Sequence, residues 1–494
     1  MDTTYLSVDI GANGGKMYAG RIDGDHLEFS EVHRFDNRPV ERDGRYVWDV
    51  PHLTTEVADG IEKADAMASD LASVAVDTWG VDFGLFADGD LIQPPYAYRD
   101  QEISSTKADL LAAKSKREIF EATGLNHWNA ECSLWQYHYL SREEPAVLEA
   151  ADRIAMMPQV ITAGLGGRPA GEATIASTTQ MLDPRERDWA WTFLRDLDLP
   201  VDPLPEIEPV GTSVGSLSPE IGRRIDSDPE LLLPTSHDTA AAVAAMPFDG
   251  DNRAFLSTGT VFIAGVERDE PDLSTAAFEV GATNELGPEG TVRFLRNMNN
   301  GFFLVEECRE TWREQGKSYA YDELLAGARQ ADPFRSLVDP DHRTFSTMGD
   351  MPAKIADYCR ETGQPVPRNE GETTRCILES LAANTALLLD DLLGVAGGSD
   401  RVHVGGGGVR NELFCQMVAE ATDRSVIAGP VEAAAVGNLF TQARAAGQVD
   451  GLADWRALVE RSIDFQRYEP EQPDAWDDAK RRVQELGTAT DEAS

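Results

Sequence analysis

The start of the chain alternates apolar strands with a glycine-rich turn. An apolar run ending at Ile10 leads into Gly11–Gly15, and a second apolar strand covers Met17–Ile22. Glycine takes a positive φ without a Cβ penalty, so we predict a tight hairpin. Its backbone N–H groups would converge on one point, which suits a phosphate, and Asp9 at the strand end would hold hydrated Mg²⁺ beside it. An ordinary surface hairpin with an exposed aspartate is the alternative.

The same plan recurs in the second half of the chain. Residues 253–263 again read as apolar strand, Ser/Thr/Gly turn and apolar strand. At 494 residues the chain is too long for one core. The repeat resembles the two-domain, actin-like sugar-kinase ATPase fold, an α/β class with duplicated ribonuclease H-like domains. We therefore predict domains at residues 1–246 and 247–494, with the active site in the cleft between them.

A candidate ligand loop follows the next buried strand. The strand at residues 72–76 ends in Asp-Thr-Trp-Gly-Val-Asp-Phe, residues 77–83. Ligands of α/β folds bind at this edge of a sheet. A hairpin with core aromatic residues is the alternative, although Asp77 and Asp82 fit a core only if they are paired. Nearby, Arg99 either holds a substrate hydroxyl or pairs with Asp100.

Two later stretches carry candidate chemistry. Asp238 lies where a strand gives way to a small-residue helix, so it is either a helix N-cap or a general base. Residues 402–411 contain four consecutive glycines, among them Gly406 and Gly407, and end at Asn411. Such a turn lets a flat group such as adenosine approach the backbone. A purely structural tetraglycine is disfavoured by its entropic cost. Ser177–Gln180 is a polar loop to which the pattern assigns no role.

Charge and composition narrow the class of partner. The 44 basic and 86 acidic residues give a net charge of −42, spread over the whole length, with few lysines. Nucleic acids and anionic membranes would be repelled, and the acidic coat is typical of a halophile. We find no apolar run of the ~20 residues that span a bilayer and no signal-peptide pattern, so we expect a cytoplasmic protein. Five cysteines without C-x-x-C spacing argue against zinc.

Taken together, these motifs resemble those of the FGGY carbohydrate kinase family and, within it, the rhamnulokinase subfamily. The resemblance runs from residue 8 to about residue 440, and the stretch at residues 77–83 is its most subfamily-specific part. It implies that ATP phosphates contact Ala12, Asn13, Gly14, Gly15, Lys16 and Thr260. It also implies that Gly407 lies at the adenosine and that Gly80, His237, Asp238, Thr239 and Asn297 contact the sugar.

Several positions depart from the subfamily pattern. Asn13-Gly14 replaces two serines, Lys16 replaces arginine, and Val261 replaces tryptophan. Asn299-Asn300 carries one extra residue, and Glu306 lies where a nucleotide-contacting glutamine is expected. The resemblance also aligns Cys359 and Cys376, which raises a disulfide between them, although the cytoplasm disfavours such bonds.

The activity implied is ATP- and Mg²⁺-dependent phosphorylation of L-rhamnulose at its C1 hydroxyl, with Asp238 as proton acceptor. Trp79 would offer an apolar plane for the methyl end of this 6-deoxy ketose. The first alternative is another FGGY kinase acting on L-fuculose, xylulose or glycerol. The second is a non-catalytic sugar sensor or ATPase on the same fold, which fold alone does not exclude. We expect a monomer or homodimer.

Overall fold

The computed structural model describes residues 3–68, 70–128 and 132–491. The chain divides into two compact units, and neither is continuous in sequence. Unit 1 holds the chain up to Pro247, together with Arg268–Phe294 and Ala433–Ile463. Unit 2 holds Phe248–Glu267, Leu295–Glu432 and the segment from Asp464 onward. The division of the sequence at residue 246 stays a proposal.

Short strands are distributed over both units. In chain order they are β1 Thr4–Gly11, β2 Gly14–Asp23, β3 His26–Asp36, β4 Val40–Arg42, β5 Arg45–Val47, β6 Leu71–Thr78, β7 Phe83–Ala87, β8 Asp90–Leu91, β9 Arg153–Met156, β10 Leu182–Asp183, β11 Asp188–Trp189, β12 Ser213–Ser216, β13 Glu230–Leu232, β14 Ala254–Thr258, β15 Phe262–Arg268, β16 Thr283–Leu286, β17 Val292–Asn297, β18 Arg401–Gly406, β19 Ser425–Ala428 and β20 Gln466–Tyr468.

Helices fill most of the remaining described chain. They are α1 Val50–Met67, α2 Lys107–Ala113, α3 Lys116–Thr123, α4 Ser133–Glu143, α5 Pro145–Ala150, α6 Met157–Leu165, α7 Ala173–Ala176, α8 Trp191–Asp196, α9 Pro219–Gly222, α10 Asp238–Ala244, α11 Thr275–Glu279, α12 Phe303–Glu314, α13 Tyr321–Gln330, α14 Met351–Glu361, α15 Glu370–Ala396, α16 Glu412–Thr422, α17 Ala433–Ala445, α18 Leu452–Ser462 and α19 Asp477–Asp491. In the part of the chain that is described, no helix has the length and apolar character to cross a membrane.

The main sheet of unit 1 has the order β12-β13-β6-β1-β2-β3. β1 and β2 form the expected antiparallel hairpin, in which Gly11 faces Gly14, and β1 also runs parallel to β6. Leu6, Val8 and Ile10 of β1 are fully buried, and Tyr5 and Ser7 on the opposite face are buried as well, so both faces of the strand are covered. The predicted first hairpin is therefore confirmed.

The physical reason for the glycines in this turn differs from our expectation. No residue from Gly11 to Gly15, all of them described, has a positive φ. A Cβ on Gly14 would lie 2.9 Å from the carbonyl oxygen of Phe35, and a Cβ on Gly15 would lie 2.1 Å from its ring. The prediction of left-handed turn residues is thus wrong. These glycines let β3 approach the hairpin closely.

Helix α17 closes the core of unit 1 from the far end of the sequence. Asn438 donates to the carbonyl of Ala75 (3.0 Å), and Gln442 donates to that of Leu6 (3.1 Å). On its other side α17 touches α10, where a Cβ on Gly437 would lie 1.7 Å from the carbonyl oxygen of Ala241. The helix that begins at Asp238 is therefore held in backbone contact with α17.

In unit 2, consecutive neighbours in the sheet include β15-β14-β18-β19-β20. β14 and β15 form the second predicted hairpin, in which Thr258 faces Phe262, and β14 runs parallel to β18. This hairpin is also confirmed. The carboxyl ends of β14 and β18 consequently lie side by side, so the turn after Thr258 meets the glycine-rich turn.

All five cysteines are buried free thiols. Cys359 and Cys376 are close enough to share a hydrogen bond, which lowers the pKa of Cys359 and raises that of Cys376. The disulfide raised by the resemblance is not formed. Within the described residues no group of three or more His, Cys, Asp or Glu side chains could hold a metal ion.

Candidate active site

The carboxyl ends of β1 and β6 meet the segment that carries His237. The N–H of Thr78 donates to the carbonyl of Ser236 (3.0 Å), and the N–H of Trp79 donates to that of Ile10 (3.2 Å). Thr78 and His237 also form an isolated parallel bridge. The first hairpin, the predicted sugar loop and the predicted base thus share one sheet edge, where α/β folds bind ligands.

Two carboxylates lie side by side at this edge. Asp9 and Asp77 occupy matching positions on the parallel strands β1 and β6. Asp77 is fully buried. Its Oδ2 accepts from Asn438 (2.6 Å), while its Oδ1 has no hydrogen-bond partner among the described residues. Burial and then the Asp9 carboxylate raise the pKa of Asp77 well above its ordinary value. Paired oxygen ligands with an unsatisfied atom fit Mg²⁺.

The sugar loop is organised by the buried carboxylate of Asp82. Its Oδ2 accepts from Nε1 of Trp48 (2.7 Å) and Nε1 of Trp79 (3.0 Å), and its Oδ1 accepts from Gln136 (2.6 Å). The two indole rings lie 4.2 Å apart. Burial raises the pKa of Asp82 to about 7, against the lowering effect of these donors. The expectation that Asp82 needs partners in a core is confirmed.

Trp79 itself is more enclosed than expected. The side chain packs against Trp48 and is only 6% exposed. The indole therefore does not present the open apolar plane that was expected for a sugar methyl. The indole is instead tied to Asp82 of the same loop, in which Gly80 is half-buried.

Backbone strain marks the residue after Gly80. Val81 has φ +72°, an outlier for a β-branched residue. Its N–H donates to Oγ1 of Thr178 (3.0 Å), and its carbonyl accepts from Ser133. A Cβ on Gly80 would lie 2.8 Å from the same Oγ1. The polar loop at Ser177–Gln180, which had no assigned role, thus clamps the sugar loop.

Asp238 is the first residue of α10, and His237 is its N-cap, so the N-cap alternative for Asp238 is wrong. Its Oδ1 accepts from the N–H of Thr239 (2.5 Å) and from its Oγ1 (3.0 Å). Nε2 of His237 lies 3.3 Å from the same oxygen. Within the described chain, Oδ2 accepts no hydrogen bond. Desolvation raises the pKa of Asp238 to about 6, while its side chain keeps 28% exposure. A carboxylate with one committed and one available oxygen can accept a proton near neutral pH.

Buried charged side chains contact His237, the residue next to Asp238. Arg293, with no exposed surface, donates to Nδ1 of His237 (2.8 Å) and to Oε2 of Glu285 (2.8 Å). Burial and then Arg293 hold the pKa of His237 well below 6.5, so the ring is neutral. Glu172 accepts from the N–H of Ser236, the residue before His237 (3.2 Å).

In unit 2 the two predicted nucleotide turns are joined through Thr258. Its Oγ1 donates to the carbonyl of Gly405 (2.6 Å) and accepts from the N–H of Gly408 (3.0 Å). A Cβ on Gly406, which has φ +86°, would lie 2.3 Å from the carbonyl oxygen of Thr258. A Cβ on Gly407 would meet nothing within 4 Å. Packing therefore explains Gly406 and Gly408, whereas Gly407 leaves open space that a ligand can use.

The remaining predicted nucleotide residues of unit 2 are partly committed to structure. Asn411 is the N-cap of α16, where its Oδ1 accepts from Phe414 N–H (3.0 Å). Glu306 pairs with Arg309 on the surface of α12 (2.7 Å). The carbonyl of Thr260 accepts from the N–H of Phe303 (3.3 Å), which ties the second hairpin to the start of α12.

Asn297 and Arg99, the two remaining predicted sugar residues, have the following surroundings. Asn297 is exposed at the end of β17, and the neighbouring Asn299 is anchored to Asp341 through its N–H (2.6 Å). Arg99 is exposed and lies over the ring of Tyr98 (5.3 Å). The alternative role of Arg99, a pair with Asp100, is wrong, because Asp100 binds Arg45 (2.9 Å).

The structure resembles solved sugar kinases over its whole length. A gluconate kinase from Lactobacillus acidophilus superposes with a TM-score of 0.81 at 15% identity, covering 99% of this chain and 98% of that one. A ligand-bound xylulose kinase from the same organism gives 0.80 at 15% identity, with the same coverage. At such identities the likeness establishes the fold alone: this is the two-domain α/β fold of sugar kinases, as expected.

Sequence comparison defines the family. The N-terminal domain model of the FGGY family of carbohydrate kinases matches residues 4–243, and the C-terminal domain model matches residues 254–446. A rhamnulokinase from Bacteroides thetaiotaomicron is 36% identical over 97% of this chain and 98% of its own length. One from Lactiplantibacillus plantarum is 34% identical over 95% of each. The chain belongs to the FGGY family of carbohydrate kinases and is an enzyme of that class.

Proposed function

We propose that the protein transfers the γ-phosphoryl group of ATP to the C1 hydroxyl of L-rhamnulose, giving L-rhamnulose 1-phosphate and ADP in L-rhamnose catabolism. The observation that carries the reaction is the state of Asp238, whose Oδ1 is committed to Thr239 while Oδ2 is available and the pKa is about 6. The relatives named rhamnulokinase, which align with nearly the whole chain, support the choice of sugar.

Phosphoryl transfer has a loose, highly charged transition state. The protein therefore contributes mainly by positioning the reacting groups and by neutralising the charge of the phosphates. Asp238 Oδ2 accepts the proton of the primary hydroxyl as that oxygen attacks the γ-phosphorus. A positioned base contributes roughly 10²–10⁴-fold. Gly80, His237 and Thr239 orient the sugar beside it, and Asn297 and Arg99 contribute further polar contacts in this proposal.

ATP and Mg²⁺ are assigned to the remaining predicted residues. The backbone N–H groups of Ala12–Lys16 and the turn at Thr260 hold phosphates, and the open space at Gly407 takes the adenosine, flanked by Gly406 and Asn411. Asp9, with Asp77 beside it, would hold Mg²⁺, which neutralises charge on the β- and γ-phosphates when bound. In this proposal Glu306 contacts the nucleotide after its exposed ion pair with Arg309 has separated. The cytoplasm as location and a monomer or homodimer as assembly belong to the same proposal.

The first test removes the base. Asp238→Asn keeps an oxygen for the Thr239 donors, so fold and ATP affinity should survive while kcat falls by at least ~10²-fold. Steady-state kinetics with coupled ADP release and nucleotide titration separate the two effects. A variant that keeps more than about a tenth of the wild-type kcat would show that Asp238 is not the base.

The second test identifies the sugar and separates a kinase from a sensor. Coupled ADP release is compared for L-rhamnulose, L-fuculose, xylulose and glycerol, at low and at molar KCl. We expect the highest kcat/KM with L-rhamnulose. A maximum with xylulose or glycerol would reject the sugar while leaving the kinase intact. Sugar binding without ADP release from any of them would favour the non-catalytic sensor.

A further inference from the structure

A buried ion pair touches the predicted base without any assigned role. The guanidinium of Arg293 has no solvent exposure, and Glu285 is 9% exposed. One terminal nitrogen, Nη2, lies 2.8 Å from Glu285 Oε2 and 2.8 Å from His237 Nδ1. Nε of the same side chain donates to the carbonyl of Leu286 (3.3 Å). The guanidinium is thus fixed by contacts on adjacent strands of one hairpin, β16 and β17.

The donor inventory of these groups determines the tautomer of His237. Arginine stays protonated and has only N–H donors, so Nδ1 of His237 accepts from it through its lone pair at 2.8 Å, a closer contact than the 3.5 Å from Nδ1 to Glu285 Oε2. The ring is neutral, because burial and Arg293 keep its pKa well below 6.5. The single ring proton must therefore sit on Nε2. That nitrogen is the one that lies 3.3 Å from Asp238 Oδ1.

We propose that the Arg293–Glu285 pair is a positioning device that locks His237 as the Nε2–H tautomer, so that His237 is a hydrogen-bond donor toward the acceptor sugar and Oδ1 of Asp238. The inference rests on the proposed kinase function and deepens it. With Oδ1 committed to Thr239 and facing His237 Nε2–H, Oδ2 is the oxygen that takes the hydroxyl proton.

The charge balance explains why both members of the pair are needed. The charged groups that face His237 and Asp238 include Arg293, Glu285, Glu172 and Asp77, with His127 beyond Glu285. Arg293 alone would leave an uncompensated cation beside the ring, which Glu285 balances. Glu285 alone would favour a proton on Nδ1, the tautomer that turns a lone pair toward Asp238. The pair together keeps the ring both neutral and correctly oriented.

The tautomer can be read without any enzymatic assay. Wild-type protein labelled with ¹³C/¹⁵N-histidine has eight histidines, and His237→Gln identifies the resonance of His237 by its loss. We expect the ¹³Cδ2 and ¹⁵N shift pattern of the Nε2–H form throughout pH 6 to pH 8, with only the small displacement that ionisation of the neighbouring Asp238, whose pKa is about 6, imposes. The shifts of an Nδ1–H ring, or of a ring that titrates within this range, would overturn the inference.

The role in catalysis is tested by replacing the whole pair with apolar residues. Such swaps often leave stability unchanged, whereas removing one partner strands a buried charge. Arg293→Met/Glu285→Leu should lower kcat/KM for the sugar about 10- to 100-fold, by analogy with the loss when the hydrogen-bond partner of a metal-ligating histidine is removed. KM for ATP should stay within a factor of about two by the same reasoning, since the sugar side alone loses its donor.

Two further variants keep the result decisive. Arg293→Lys retains one donor for Nδ1, so it should restore much of the lost kcat/KM and keep the Nε2–H resonance. Arg168→Met/Glu208→Gln removes an exposed Arg–Glu pair of the same unit and should leave kcat/KM unchanged. If the apolar double variant folds and keeps wild-type kcat/KM for the sugar, the positioning role is rejected.

Failure of the inference and failure of the proposed function give different results. A wild-type protein that phosphorylates no ketose refutes the function, whatever the tautomer. A wild-type kinase whose His237 carries its proton on Nδ1 refutes only the inference. If the apolar double variant does not fold, the wild-type resonance and Arg293→Lys still decide.

Discussion

Asp82→Asn tests the buried network beneath the sugar loop. In the folded protein the pKa of Asp82 is about 7, against an ordinary value of 3.8. A carboxyl whose pKa is raised on folding contributes stability that is fully present below the unfolded pKa. That contribution is lost as the pH rises through the folded pKa. The wild-type protein should therefore lose the stability that Asp82 contributes between pH 5.5 and pH 8. The Asp82→Asn variant should not show this loss, because asparagine does not ionise.

The size of the effect follows from the shift. At pH 5.5 the unfolded carboxyl is already ionised, while the folded one is still protonated. About 1.4 kcal/mol per pH unit over the roughly 1.5 units up to pH 7 gives about 2 kcal/mol. In the variant, the NH₂ group of asparagine replaces one of the two carboxylate oxygens and faces either the two indole N–H groups or the Gln136 amide. Those donors then lose their acceptor, so the variant leaves buried donors unsatisfied at every pH. That fixed cost cancels when the two pH values are compared.

The assay is urea unfolding of wild type and Asp82→Asn at pH 5.5 and pH 8, followed by tryptophan fluorescence. The wild type should be the more stable at pH 5.5, and its advantage should shrink by about 2 kcal/mol at pH 8. Asp238 and Asp341, whose pKa values are each raised to about 6, titrate in both proteins and cancel. A gap that changes by less than about 0.5 kcal/mol would refute the reasoning.

The same network offers an internal check. Trp48 donates to Asp82 Oδ2 and thereby lowers its pKa. Trp48→Phe removes this donor and fills most of the same volume, so the folded pKa of Asp82 should rise above 7. The pH at which stability is lost should then move upward relative to wild type.

Four other predictions follow from features described above. Gly80→Ala places a Cβ 2.8 Å from Thr178 Oγ1 and should raise KM for the sugar about 10-fold, with KM for ATP unchanged. The control Gly222→Ala, whose Cβ would meet nothing within 4 Å, should change neither KM in the same assay. Gly437→Ala meets Ala241 O at 1.7 Å and should cost about 1–3 kcal/mol in urea unfolding, so a neutral effect would contradict the contact. Gly394→Ala, in the last turn of α15 with nothing within 4 Å, should instead gain up to about 0.5 kcal/mol. With the Asp238 pKa near 6, sugar kcat/KM should fall tenfold per pH unit well below pH 6, and a pH-independent profile between pH 5 and pH 8 would reject Asp238 as base. With a net charge of −42, the Tm should rise between dilute buffer and molar KCl, and an unchanged Tm would remove the halophile interpretation.

The sequence predicted the features that depend on local pattern. Both hairpins follow from the alternation of apolar residues and from the glycine turns, and the cost of an unpaired charge predicts that Asp82 needs partners if it lies in a core. The turn glycines were placed correctly for the wrong reason, because their requirement comes from Phe35 on another strand. Close approach between strands leaves no local signal.

The supports of the site lie far from it in sequence. Asp77 and Asn438 are 361 positions apart, and His237 and Arg293 are 56 apart. No spacing rule joins such residues. One signal was available, however: Arg293 interrupts the apolar strand β17, and a charge at a core position must have a buried partner. The strain at Val81 and its clamp by Thr178 had no counterpart in the pattern, since valine is not a turn residue.

The discontinuity of unit 1 has a consequence for the order in which the protein is made. Its sheet is covered by α17, and Asp77, Ala75 and Leu6 receive hydrogen bonds from that helix. A ribosome finishes β1 and β6 long before it reaches Ala433, so one face of the nascent sheet stays uncovered while most of unit 2 is synthesised. The base-bearing helix α10 acquires its backbone neighbour only then. A chain released before that point would lack Asn438, which donates a hydrogen bond to Asp77. We therefore expect such an incomplete polypeptide to be inactive.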